Sequence, residues 1–156
     1  YYTMQTFLPH PSFRYTFKIL DYRRLGKQRV EAMQILNVLL ERTDTKGWRN
    51  HPITRMWDGY APSLQLYHNL CITEWIDRGY NNNMSLEDIT EPIVYPHWLG
   101  DKRFHSSHRA NLLRKDYDYY SKFGWREDSG NPYTWYDTDK RQWYLQHVGT
   151  GIREYV

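Results

Sequence analysis

The sequence predicts an all-α, compact single-domain helical fold with an aromatic-rich, irregular C-terminal tail. Three observations carry this expectation. The chain has 156 residues, the usual size of one domain. Apolar residues recur at three- and four-residue spacing through several segments. No strand–helix alternation, internal repeat or glycine-rich phosphate loop stands out. The core leans on rings: 7 Trp, 15 Tyr and 5 Phe make up 17% of the chain. Each ring can bury on the order of 150–250 Å², which argues against disorder as the main state. No run approaches the roughly 20 apolar residues of a membrane helix. The single cysteine, Cys71, can form neither an internal disulfide nor a multi-cysteine zinc site. A cytoplasmic monomer is the expectation. Tyr1–Thr3 precede Met4 and read as an extension, residues 4–125 as the helical domain, and 126–156 as an extension packed on it.

Taken in order, Ser12 fits the cap of a short helix with Phe13, Phe17 and Leu20 on one stripe. From Asp21 to about Glu41, Arg29, Met33, Leu36 and Leu40 follow helical spacing, with Val30 and Asn37 beside them and Gly26 as a weak point. Pro52 and Pro62 each suit the first turn of a helix. The second of these helices runs to about Arg78. It carries Leu66, Leu70 and Thr73 on one side and Tyr67, Cys71 and Trp75 on another, so much of its circumference is expected to be buried. Gly79 fits its C-terminal cap and Asn81–Asn83 a turn. Ser85–Asp88 resembles a capping box, and Pro92 and Pro96 bracket an extended crossing. A helix is expected over Asp101–Lys115, then a short one to Phe123, stopped by Gly124. Beyond Trp125 the pattern dissolves into Asp, Gly and Pro among Tyr133, Trp135, Tyr136, Trp143 and Tyr144. That tail is expected to be ordered only if its rings dock on the helices.

The net charge of +3 conceals a segregation: residues 1–55 carry +6, residues 56–100 −5, residues 101–126 +4 and residues 127–156 −2. Two basic blocks flanking an acidic one make the footprint of a polyanion binder if the fold unites them. The alternative is basic side chains scattered over solvated helix faces.

Three motifs suit nucleic-acid chemistry. In Leu20–Ala32, the cations Arg23, Arg24, Lys27 and Arg29 enter a helix, and arginine matches phosphate oxygens bidentately. A plain Lys27–Glu31 surface pair is the competing explanation. In Gly47–Pro52, the residues Trp48, Arg49, Asn50 and His51 interleave a ring with an arginine and an amide, and Arg55 and Trp57 follow. Such a set suits an unstacked base; the alternative makes Trp48 and Trp57 core anchors and His51 a helix-start residue. In Arg103–Lys115, His105, His108, Arg109 and Leu112 share a helical face, with Lys115 at its end. That face suits phosphate or base contacts, or else internal packing. Two histidines without a nearby carboxylate or cysteine make a poor metal set, so no metal is expected.

The phrases Leu25-Gly-Lys-Gln-Arg-Val-Glu-Ala32, Gly47-Trp-Arg-Asn-His-Pro52 and Phe104-His-Ser-Ser-His-Arg-Ala-Asn-Leu-Leu-Arg-Lys115 resemble the pyrimidine-dimer DNA glycosylases. The resemblance is to a divergent bacterial and viral group related to the phage endonuclease V type, and it runs from about Met4 to Trp125. Weaker similarity to the phage type lies in Tyr22-Arg23-x-Leu25, in Glu74 with Arg78-Gly-Tyr-Asn81, and near Tyr119–Gly124.

The resemblance implies an all-α fold that binds double-stranded DNA, kinks it and displaces a nucleotide, with no metal or cofactor. It also implies an N-terminal α-amine that attacks the sugar C1′ to form an imine, helped by a glutamate near the start of the long helix. An α-amine titrates near 7.7–8.0, so a useful fraction is neutral, whereas an ordinary lysine is almost fully protonated. This chain departs from that pattern twice: Gln5 follows Met4, and Arg24 stands where the family glutamate aligns. The candidate catalytic residues are therefore Glu31, Lys27 and Met4. The candidate DNA-binding residues are Arg23, Arg24, Arg29, Trp48, Arg49, Asn50, His51, His105, His108, Arg109 and Lys115. The function expected is a base-excision glycosylase acting on damaged or modified pyrimidines, with AP-lyase activity through an imine as a further step. The alternatives are a non-catalytic DNA-binding module on the same fold, or an enzyme with a different nucleic-acid or nucleotide substrate.

Overall fold

A computed structural model describes residues 4–43 and 49–156, and its helices begin where the capping residues stand. Ser12 Oγ accepts from Tyr15 N ahead of α1 (Phe13–Ile19), and the Asp21 carboxylate accepts from Arg24 N ahead of α2 (Tyr22–Leu39). His51 caps α3 (Pro52–Trp57) by accepting from Ile53 N, with Pro52 in the first turn, where its missing N–H costs nothing. Helix α4 (Ala61–Asp77) carries Pro62 in its first turn and ends at Arg78, with Gly79 at φ 88°. Asp101 caps α5 (Lys102–Lys115), which leads through α6 (Tyr117–Tyr120) into a 3-10 turn, Ser121–Phe123, ended by left-handed Gly124.

The contacts divide the chain into two units. One joins the N-terminal residues up to Phe7 with Ser12–Pro96, and the other joins Leu8–Pro11 with His97–Val156. Residues 126–156 fall inside the second unit.

In the first unit α2 and α4 pack along one another. The face of α2 that goes inside is Leu25, Gln28, Glu31, Ala32, Ile35, Leu36 and Val38; of the stripe expected through Arg29, Met33, Leu36 and Leu40, only Leu36 belongs to it. Leu40 is 39% exposed and Val30 38%. Two polar side chains join the buried face because the extended segment before α1 satisfies them. Gln28 Oε1 accepts from Phe7 N (3.1 Å) and Tyr67 Oη (2.7 Å), and Gln28 Nε2 donates to Gln5 O (3.0 Å). A buried amide so bonded loses little on leaving water. Trp57 is fully buried among Phe13 and Tyr67 and donates to Thr6 Oγ1, so it is a core anchor. Ser85–Asp88 starts no helix. Instead Arg42 bonds both oxygens of Glu87, Gln65 adds a third bond, and Asn69 clips the Glu87 backbone, holding the segment extended against α4.

The second unit overturns the all-α expectation. Strands β1 (Tyr133–Asp137), β2 (Gln142–Gln146) and β3 (Arg153–Tyr155) form an antiparallel sheet in the order β1-β2-β3. The fold is therefore mixed, helices plus a three-stranded sheet, and the tail is not irregular. Its aspartates and glycines build turns: Asp137 Oδ1 accepts from both Asp139 N and Lys140 N, each 3.0 Å, closing the β1–β2 hairpin. Trp135 pairs with Tyr144 across the hairpin, and both are 2% exposed. Strand β1 packs on α5, where His108 meets Tyr133 edge-on and Phe104 approaches Trp143. Runs this short, rich in aromatic residues, gain their stability from such packing rather than from their own periodicity.

Candidate active site

A cavity of about 350 Å³ opens on α2 in the first unit, lined by Tyr22, Arg23, Gly26, Lys27, Val30, Glu31 and Trp75. Tyr22, Gly26 and Val30 stand four residues apart, as do Arg23, Lys27 and Glu31. The helix therefore lays an apolar and an ionic stripe side by side along one wall. Trp75 reaches in from α4. The size suits a small-molecule or single-nucleotide pocket, and the surface shown to it is chiefly apolar.

Glu31 is 5% exposed, and its Oε2 accepts from Gln5 N at 3.0 Å, with Gln28 Nε2 at 3.5 Å. It is not a solvated surface residue but a buried carboxylate anchored to the N-terminal segment. Arg23 and Lys27 are exposed beside it. Met4 is fully buried, one residue before the amide that Glu31 holds. Lys27 and Glu31 thus stand one helical turn apart at the cavity, and Met4 precedes the residue whose amide Glu31 holds.

The candidate DNA contacts scatter more widely. Arg24 is bound to both oxygens of Asp21. Arg29 lies over the Trp75 indole, 4.2 Å from its centroid, and donates to Asn82 Oδ1. Arg49 and Asn50 are exposed, Arg49 with Glu41 at 3.9 Å. His51 serves the N-cap, and burial lowers its pKa. Trp48 lies outside the described residues.

In the second unit the expected histidine face points inward. His105 Nδ1 donates to Leu8 O (2.7 Å), its Nε2 accepts from Gly100 N (2.9 Å), and His108 Nδ1 accepts from Leu8 N (2.8 Å). The two imidazoles thus hold both backbone groups of Leu8. They are 2% and 0% exposed, and burial lowers the pKa of His105 and pushes that of His108 well down. Arg109 donates to Glu127 and to Pro9 O. Burial works to raise the Glu127 carboxyl, but bonds from Arg109 and Ser106 outweigh it and hold the group below its usual range. The bonds of these three side chains thus run to Leu8, Gly100, Pro9 and Glu127. Lys115 is exposed at the end of α5.

Residues 4–88, just over half of the chain, match the pyrimidine dimer DNA glycosylase family. The chain belongs to that family. The whole cavity falls within the matched span, and the sheet and the His105–Arg109 cluster fall outside it. Membership in this glycosylase family makes DNA the substrate class. No curated protein and no solved structure gives a significant match. Among the described residues no group of three or more His, Cys, Asp or Glu could hold a metal, and no helix is long and apolar enough to cross a membrane.

The cavity-lining residues that were not among the candidate site residues are Tyr22, Gly26, Val30 and Trp75. For Tyr22, Gly26 and Val30 the signal is the four-residue repeat beside the cations; nothing local marks Trp75.

Proposed function

We propose that the protein removes damaged or modified pyrimidines from duplex DNA and then cleaves the abasic strand through an imine. The observation that carries this reading is Glu31, a nearly buried carboxylate in a cavity it shares with Lys27 and Arg23. An amine nitrogen attacks C1′ as the N-glycosidic bond breaks. The base leaves with the bonding electrons and takes up a proton. Ring opening gives the imine, and removal of a C2′ proton expels the 3′ phosphate by β-elimination. Glu31 moves the protons in these steps. Lys27 is the amine the cavity presents. The α-amine of Met4, in a chain that starts there, is the other amine beside the same carboxylate.

Borohydride added to the protein with dimer-containing or abasic duplex tests this directly. The expected result is a covalent adduct whose digest maps to Lys27 or Met4. Glu31→Gln is expected to lower turnover by about 10²–10⁴-fold while DNA binding persists. Base release without any adduct would remove the imine step. Binding without release or adduct on every lesion would leave a DNA-binding module instead.

A further inference from the structure

We propose that His105 and His108 form a pH-sensitive latch on the N-terminal segment: as neutral rings they hold Leu8, and protonation releases it. Every part of the latch lies in the second unit, which contains both Leu8–Pro11 and α5, so it does not depend on the reading of the cavity.

The sequence around Leu8 makes such a grip necessary. Pro9 and Pro11 bring no N–H, and each keeps the residue before it out of the helical region. Leu8 is nevertheless fully buried in an extended stretch, so its N–H and C=O need partners that no helix or strand ladder supplies. The two imidazoles supply them in opposite tautomers. His108 Nδ1 accepts from Leu8 N at 2.8 Å, which leaves the ring proton on Nε2. His105 Nδ1 donates to Leu8 O at 2.7 Å, and its Nε2 accepts from Gly100 N at 2.9 Å. Each neutral ring thus uses its one lone pair on a backbone N–H. A proton added to His108 would set N–H against the Leu8 N–H, and one added to His105 would do the same at Gly100.

The surroundings resist those protons. Burial is the largest effect on both rings; Arg109 opposes charge on both, His10 opposes it on His105, and His105 opposes it on His108. Asp101 at the helix cap and the bond to Leu8 O favour charge on His105. The Glu127 carboxylate is bonded by Arg109 and Ser106, and β1 presents the Tyr133 ring edge-on to His108. Arg109 keeps its charge throughout and donates to Pro9 O at 2.8 Å, so the pH-dependent contact is the one at Leu8.

The sign follows from the two states. A released histidine titrates near 6.5 and a held one lower, so the grip is complete above that pH and weakens as pH falls. One such ring multiplies the opening constant by about 10 between about pH 7.5 and about 5.5, and two rings by about 100. Leu8 lies inside the span that matches the glycosylase family, whereas His105 and His108 lie outside it. The part of the chain beyond the match therefore governs a residue within it.

Amide hydrogen exchange on the full chain, followed by NMR across this pH range and corrected for the intrinsic rate, gives an opening constant for each N–H. Leu8 is compared with Leu112, inside α5. Leu8 is expected to open more readily than Leu112 at every pH, with an opening constant that rises at least about 10-fold on acidification. His108→Asn keeps an oxygen acceptor beside Leu8 N but does not titrate, and it is expected to take about 10-fold off that rise. A rise of less than about 3-fold in the wild-type protein, or equal opening constants for Leu8 and Leu112, would overturn the proposal. So would an unchanged rise in His108→Asn. The wild-type comparison decides the outcome if that variant does not fold.

Discussion

Arg23 and Arg109 bear the same charge and, by sequence, are the same kind of candidate DNA contact, but their surroundings differ. Arg23 is exposed at the cavity, whereas Arg109 bonds Glu127 and Pro9 O at the join between the N-terminal segment and α5 within the second unit. Arg23→Gln should reduce the slope of log affinity against log salt by about one, since one phosphate contact is lost. Arg109→Gln should leave that slope in place and lower stability by about 1–3 kcal/mol, because a half-buried carboxylate loses its charged donor. Binding titrations across salt and urea unfolding separate the two. The same contrast holds for His51, which local sequence correctly allowed as a helix-start residue, and for His105 and His108, whose Leu8 partner lies about a hundred residues away. No local pattern announces a partner at that distance.

At the scale of elements, the helices were legible because their ends are marked. Ser12, Asp21, Asp101 and Gly124 stand where caps and stops are needed, and Pro52 and Pro62 stand where a helix tolerates proline. The inward face of α2 was not legible. Gln28 and Glu31 look like surface residues until the extended segment over Gln5–Phe7 supplies their bonds. The sheet was missed for a related reason. Its strands are three to five residues long, and their burial depends on α5. Trp135 is one of the sheet's two buried rings, so Trp135→Ala should cost about 3–5 kcal/mol in urea unfolding. Trp143→Ala, on the same hairpin and half-buried, should cost clearly less. Equal costs would mean that the hairpin is not held through its buried face.

For the whole molecule, the opening charge pattern maps onto the two units: most of the first basic block lies in one, and the 101–126 block in the other. The histidines are divided as well. His51 and His68 in the first unit, and His105 and His108 in the second, all have pKa values lowered by burial. Below about pH 6.5 the unfolded chain takes up protons that the folded chain resists, so stability should fall as pH drops from 7 toward 5. Each fully resisting histidine contributes about 1.4 kcal/mol per pH unit within that window. His108, the most depressed, should dominate, and His108→Gln should flatten the dependence of the urea midpoint on pH. A midpoint that does not move over that range would contradict the burial of these rings.

From the chain alone one can read the family resemblance, the helix boundaries and the aromatic core, because caps, prolines and motif spacing act over a few residues. Tertiary structure alone decides that the C-terminal tail is a sheet, that His105 and His108 bond the backbone of Leu8, and that Trp75 meets Gly26 at a cavity shared with Lys27 and Glu31. Each of these depends on a partner far along the chain, and whether a polar or aromatic side chain is buried is settled by that partner and not by its neighbours in sequence.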